Sequence, residues 1–276
     1  VTWNASLDLH YARADSYTIV KYEHSGPLRI LRSLYPEGPQ SCHNVLIHPP
    51  SGLVGGDRLD IHVDMVNASH ALITTPGATR FYKSESKWAT QDVQVVLQDN
   101  SRLEWLPLET LAYDGCMARN ICSFDLKDQS ELIAWDVTAL GMPSAKLPFI
   151  NGLIEQHFEI KGHWLDKGSI KANDMKLLNS PLGLNARKCL ATLVFASAKA
   201  LGDEQRNKIL ELAREVIQVE GPNIQVGATS PGPNVIVVRA LSDLVEPSMK
   251  LLRSIWLEWR SQLWGLSPVM PRIWAL

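Results

Sequence analysis

The carboxylates are the first side chains to test for chemistry. Glu104 and Glu109 stand five apart across Pro107, with Asp57 and Asp114 elsewhere in the chain. A paired acid and base or nucleophile is what a glycosidase needs, so these two glutamates admit a carbohydrate-active hydrolase or lyase. The spacing is a weak signal, and the plainer reading is solvated or structural carboxylates. Asp60, His62 and Asp64 share the polar side of one alternating stretch and carry ligand atoms suited to nickel or zinc. Side chains two apart on a strand splay, and nothing in the sequence fixes them. Cys42-His43 with His48 is an equally loose group. With no H-x-x-x-H and no C-x-x-C, no tight metal site is expected. Nucleophile chemistry has no G-x-S-x-G elbow to rest on.

Two loops are more unusual than any carboxylate. His48-Pro49-Pro50-Ser51-Gly52-Leu53-Val54-Gly55-Gly56-Asp57-Arg58 is rich in glycine, which lets backbone N–H groups approach an anion. It lacks the Gly-Lys-Ser/Thr ending of a phosphate loop and leads into a strand, so nucleotide binding is rejected and a tight turn is the simpler reading. Thr74-Thr75-Pro76-Gly77-Ala78-Thr79-Arg80-Phe81-Tyr82 turns at Pro-Gly and surrounds that turn with polar groups of some reach. A binding surface and a hydrogen-bonded corner are both open for it.

These loops must be held by strands. Leu59, Ile61, Val63 and Met65 alternate with polar residues, as do Val93, Val95 and Leu97, and then Cys122, Phe124 and Leu126. Each stretch runs into a short Asn/Asp-containing turn ending in Ser69, Ser101 or Ser130, and a second strand follows. The serines recur roughly every 30 residues, which predicts stacked β-sheets built from β-helix-like strand-turn-strand repeats. Helix signals come only in the C-terminal third, where about two helices are expected. Asp203 can cap the first and Gly221-Pro222 ends it. The second follows Pro247, carries Leu252, Ile255, Trp259 and Leu263 as a stripe with Trp256 beside it, and stops at Gly265 and Pro268. No Pro/Ser/Gly linker divides the chain, so residues 1–276 read as one mainly-β domain with helices on one side.

Composition narrows the partners. Lys plus Arg number 27 against 29 Asp plus Glu, a formal charge of -2. This near-balance argues against nucleic acid and against an anionic membrane surface. No apolar run is long enough to span a bilayer. The N-terminal stretch lacks a signal-peptide layout, and the four scattered cysteines read as reduced thiols, so a cytoplasmic location is expected.

The two loops, taken together and in order, resemble the urease accessory protein UreD family, called UreH in some organisms. Trp3, Ala5 and Leu7 are similar to the family's start, and Gly26-Pro27-Leu28 with Tyr35-Pro36-Glu37-Gly38 to its next motif. Leu103-Glu104-Trp105-Leu106-Pro107 and the ending Pro271-Arg272-Ile273-Trp274 complete a pattern spanning nearly the whole chain. Ser51, Leu108 and Met142 stand where the family usually has Gly, Gln and Arg, and Lys146-Leu147-Pro148-Phe149 is a reduced form of a later motif.

The resemblance implies a non-enzymatic role. It implies UreF-like and UreG-like accessory proteins and apo-urease as partners, with nickel delivered to urease by way of an internal channel. No cofactor would be held tightly, because a conduit works through weak oxygen and nitrogen sites, with Ni(II) only in transit. On this reading Asp57, Thr75, Glu104 and Glu109 are candidate channel or transient nickel contacts. Arg80 and Tyr82 orient loops or meet a partner, and Trp256, Trp259, Arg272 and Trp274 serve docking or anchor the C-terminus.

Overall fold

The computed structural model describes every residue except Val1, Asn223, Pro268 and Leu276. Pro268, expected to help stop the last helix, therefore lies outside the described residues.

The serine corners stack. Ser69, Ser101 and Ser130 are all fully buried, and the Ser69 and Ser101 hydroxyls lie 3.4 Å apart. The Asp99 carboxylate accepts from the Asn67 backbone N–H at 3.3 Å, and the Asp128 carboxylate accepts from the Asp99 N–H at 2.9 Å. Asn67, Asp99 and Asp128 sit at φ 56, 52 and 58, a conformation that Asn and Asp tolerate better than most residues. Each corner thus uses its short polar side chain to hold the corner before it, and the repeat closes into a stack.

Two sheets grow from these corners. In the first, Asn4–Ala14, Arg58–Val66, Ala89–Leu97, Cys116–Leu126 and Gly152–Ile160 run parallel, edged by antiparallel Tyr17–Ser25 and Trp164–Lys171. In the second, Ser41–Ile47, His70–Thr74, Arg102–Leu106 and Glu131–Leu140 run parallel, and Cys189–Ser197, Val235–Ser242 and Gln225–Gly232 extend it antiparallel. The alternation read from sequence holds: Leu59, Ile61, Val63 and Met65 are buried while Arg58, His62 and Asp64 are exposed. The repeat carries one more strand than its sequence suggests. Thr110–Ala112 pairs with Thr79–Phe81 on one side and with Thr138–Leu140 on the other, as a third, short side of the stack. Three residues are too few for alternation to register.

There are three described α-helices. α1 (Met175–Asn179) is a single short turn the sequence does not announce. α2 (Asp203–Glu220) is capped by Gly202, so Asp203 is its first helical residue and accepts from Arg206 instead of capping. α3 (Val245–Trp264) begins two residues before Pro247, which a first turn tolerates because its N–H has no helical partner to lose. α3 ends at Gly265, in the left-handed conformation at φ 63. One apolar core lies between the two sheets, and a second lies between the larger sheet and α2 and α3. The larger sheet is therefore covered on both faces, which decides the fate of several candidate residues.

Candidate functional site

The two glycine- and proline-marked loops pack on each other. The Leu53 N–H donates to the Arg80 carbonyl at 2.7 Å and the Tyr82 N–H to the Leu53 carbonyl at 2.8 Å. Gly52 is required for this approach: a Cβ there would overlap the Tyr82 ring and lie 2.8 Å from the Arg80 carbonyl. Asp57 is almost fully buried and accepts from the Trp3 N–H at 2.8 Å and the Val54 N–H at 2.9 Å. It ties the loop to the N-terminal strand and presents no free carboxylate. Thr75 accepts from the Leu108 N–H at 2.9 Å and donates to the Gly77 carbonyl at 3.0 Å. Tyr82 meets Tyr113 edge to face at 4.8 Å. Together the loops wall a cleft of about 250 Å³ whose lining includes His48, Thr75, Arg80, Gln91 and Trp105.

Glu104 sits elsewhere. Its strand places Leu103 and Trp105 in the inter-sheet core and turns Glu104 to the opposite face, beneath α3. There it is wholly buried and held by His70 at 2.9 Å, Trp256 Nε1 at 2.5 Å and Arg260 through Nε and Nη2, both at 3.1 Å. Arg260, itself fully buried, also grips Glu37 with both terminal nitrogens at 2.6 and 2.8 Å, and Glu37 pairs with His43 at 2.9 Å. Burial pushes both carboxylates up, and the hydrogen bonds and charges of His70 and Arg260 outweigh it to leave Glu104 below its ordinary value. For Glu37 the balance of burial against His43 and Arg260 ends at about 2. Desolvation opposes the Arg260 charge, but the two carboxylates more than restore it. This network fastens α3 to strands Ser41–Ile47, His70–Thr74 and Arg102–Leu106. Glu104, expected as channel lining, is a structural anion whose oxygens are already taken.

A second polar feature runs through the inter-sheet core. Gln91 Nε2 donates to Asn120 at 3.2 Å, Asn120 Nδ2 donates to Asp136 at 3.4 Å, and Gln156 Nε2 donates to Asp136 at 3.0 Å and to Thr138 at 2.8 Å. Gln91 belongs to the cleft beside the loops. Asp136 and Gln156 belong to a larger one of about 640 Å³ with Asp166, Thr192 and Arg239. A hydrogen-bonded file thus joins two clefts across an otherwise apolar interior. Burial and the charge of Asp166 raise Asp136 to about 6, against a partial lowering by Gln156. Cys122 lies within electrostatic reach, but burial and Asp136 keep its thiol protonated. Sequence reasoning passed over Asp136, Asn120 and Gln156. A signal was present for Asp136 and Thr138, which interrupt the inward positions of an apolar strand.

The remaining candidates divide. Trp256 and Trp259, read as a face for a partner or an anchor, are turned fully into the core, and Trp259 Nε1 donates to the Ile209 carbonyl at 3.0 Å. Trp274 is an anchor. It is half-buried, packs on Trp135 and Trp256 with centroids 5.4 Å away in each case, and donates to Thr74 Oγ1 at 2.8 Å. Arg272 is exposed. Glu109 is half-buried, and its charge acts on Arg80 and Arg253. Asp60 and His62 form ordinary surface pairs, to Arg58 at 2.7 Å and Asp8 at 3.1 Å. Among the described residues no three His, Cys, Asp or Glu side chains converge as a metal site, and all four cysteines are free and buried. No helix among the described residues is long and apolar enough to cross a membrane.

Fold and interior together define a β-solenoid-like stack, clad by helices on one side and threaded by a polar file. Comparison with known proteins makes this specific. Residues 4–275 match the family model described as UreD urease accessory protein. The chain is 48% identical to Urease accessory protein UreD of Polaromonas sp., 49% to that of Variovorax paradoxus and 51% to that of Paracidovorax citrulli, in each case over the full length of both chains. The chain belongs to the UreD family of urease accessory proteins.

Proposed function

We propose that this chain is a scaffold and nickel conduit in urease maturation, engaging UreF-like and UreG-like partners and apo-urease in the cytoplasm. The observation that carries the reading is the file Gln91–Asn120–Asp136–Gln156, which links the loop cleft to the larger cleft. Its donor set is one carboxylate among amides and a hydroxyl. Oxygen ligands of that kind hold a divalent ion loosely, as transit demands, and no cofactor resides there. Asp136 is the pivotal group. Its pKa of about 6 leaves it mostly ionised near neutrality, yet close enough to protonation that a proton competes with the metal. Asp166 adds a second carboxylate at the wider end.

A polysaccharide hydrolase or lyase is not favoured, because Glu104 is sealed beneath α3 where no chain-like substrate reaches. The test is urease activation in cells carrying the full accessory set. Asp136→Leu with Gln156→Leu is expected to lower the nickel content of urease while the accessory complex still co-purifies. Undiminished nickel loading by that variant would refute the conduit. Failure to recover any urease-system protein with the wild-type chain would refute the scaffold.

A further inference from the structure

The loop cleft has a chemistry of its own. Three residues of its wall, His48, Arg80 and Trp105, each carry a side-chain nitrogen (Nε2, Nε and Nε1) that is buried and has no hydrogen-bond partner within the chain. They come from three separate places: the turn after Ser41–Ile47, the short strand Thr79–Phe81, and the strand Arg102–Leu106. Buried polar nitrogens are seldom left unpaired, because the hydration they lose then goes uncompensated. Three in one wall are an arrangement awaiting acceptors.

Their identities fix the kind of acceptor. Arg Nε and Trp Nε1 only donate, and His48, whose burial outweighs the nearby Asp57 charge to favour the neutral ring, can donate from Nε2. No Asp or Glu is among the residues lining the cleft. Two carboxylates act on the site from outside its lining, Asp57 on His48 and Glu109 on Arg80. A lining with a cation, donors and no carboxylate receives an anion. Trp105 is 2% exposed, so its N–H lies deep in the wall, and a volume of about 250 Å³ suits a small group.

We infer that the cleft between the His48–Arg58 and Thr75–Tyr82 loops is a receptor for a carboxylate-class oxyanion, bound by His48, Arg80 and Trp105. That anion is either a free small species or a carboxylate side chain offered by a partner. The inference stands on the cleft's lining and does not depend on nickel passage.

The experiment is nitrogen-15 NMR of the full chain, reading the indole N–H of Trp105, which Trp105→Phe identifies among the nine tryptophans. Sodium formate, sodium bicarbonate and N-acetyl-aspartate amide are titrated in parallel against sodium chloride at matched ionic strength. A saturable shift with any carboxylate-class probe, absent with chloride, is expected. Response to formate or bicarbonate alone points to a free anion, and response to the aspartate mimic alone points to a partner's side chain. Arg80→Met should weaken binding about tenfold or more. Should that variant misfold, Arg80→Lys keeps the charge, loses the Nε donor, and should still bind more weakly. No shift with any probe, or equal affinity in a folded Arg80 variant, overturns the inference.

Discussion

Asp136→Asn should change the sign of its effect on stability with pH. In the unfolded chain this carboxyl titrates near its ordinary 3.8, and in the fold near 6. Its folded pKa is raised, so the proton is held more tightly in the native state. Below pH 3.8 the group is protonated in both states and its charge costs nothing. Between 3.8 and about 6 the unfolded chain ionises while the fold resists, and stability is lost. Above about 6 the loss levels off. A shift of that size corresponds to roughly 3 kcal/mol, an upper bound because the cleft admits solvent to the group. Asparagine removes this cost but turns an amide N–H₂ toward the donors of Asn120 or Gln156, forfeiting about 1 kcal/mol of hydrogen bonding. The variant should thus be about 1 kcal/mol less stable than wild type near pH 3 and about 1–2 kcal/mol more stable near pH 8. Urea denaturation at a series of pH values reads the crossing directly. A constant difference across that range would mean that Asp136 ionises as an ordinary surface aspartate, and the argument for a strained carboxylate in the file would fail. A crossing with normal urease loading would retain the electrostatics and remove the transport role.

The network beneath α3 should behave in the opposite sense. Glu37 is held at about 2, below its ordinary 4.5, so its contribution is complete above pH 4.5 and is lost as pH falls toward 2; Glu37→Gln should flatten that acid limb in pH-dependent denaturation. Arg260→Met leaves Glu104 and Glu37 buried without their cation and should cost about 3–5 kcal/mol in urea, whereas replacing a surface pair such as Arg58–Asp60 should cost under about 1 kcal/mol. Gly52→Ala forces the loops apart at the Tyr82 ring and should cost about 1–3 kcal/mol while also disturbing the loop cleft, read by the Trp105 indole resonance. The four cysteines should resist iodoacetamide in the native protein and all react in denaturant, because each is buried and burial raises its thiol pKa; mass spectrometry counts the adducts.

Local chemistry was legible in the chain itself. The Asn/Asp-to-Ser corners announced a stack because such residues bend the backbone wherever they occur, and the alternating runs announced half-buried strands because period two is a property of the backbone alone. The apolar stripe on α3 was readable for the same reason, since helical spacing sets which residues share a face. The two odd loops were visible as a pair because glycine and proline mark constrained turns without reference to partners.

What surrounds each side chain was not legible, because neighbours distant in sequence decide it. Glu104 read as solvated, structural, channel-lining or catalytic, and only α3, more than 150 residues later, decided among these by closing over it and supplying Trp256 and Arg260. Arg260 itself was hidden in a stripe of tryptophans and leucines, and only the helix's docking turned it into the partner of two glutamates. Asp136 carried a hint in its place among apolar inward positions, but its link to Asn120 and Gln156 exists only once parallel strands are in register. The same register brings His48, Arg80 and Trp105 to one cleft. A sequence sets what each residue can offer, and the packing of sheets and helices sets what it must answer to, because desolvation and hydrogen bonding act through space and not along the chain.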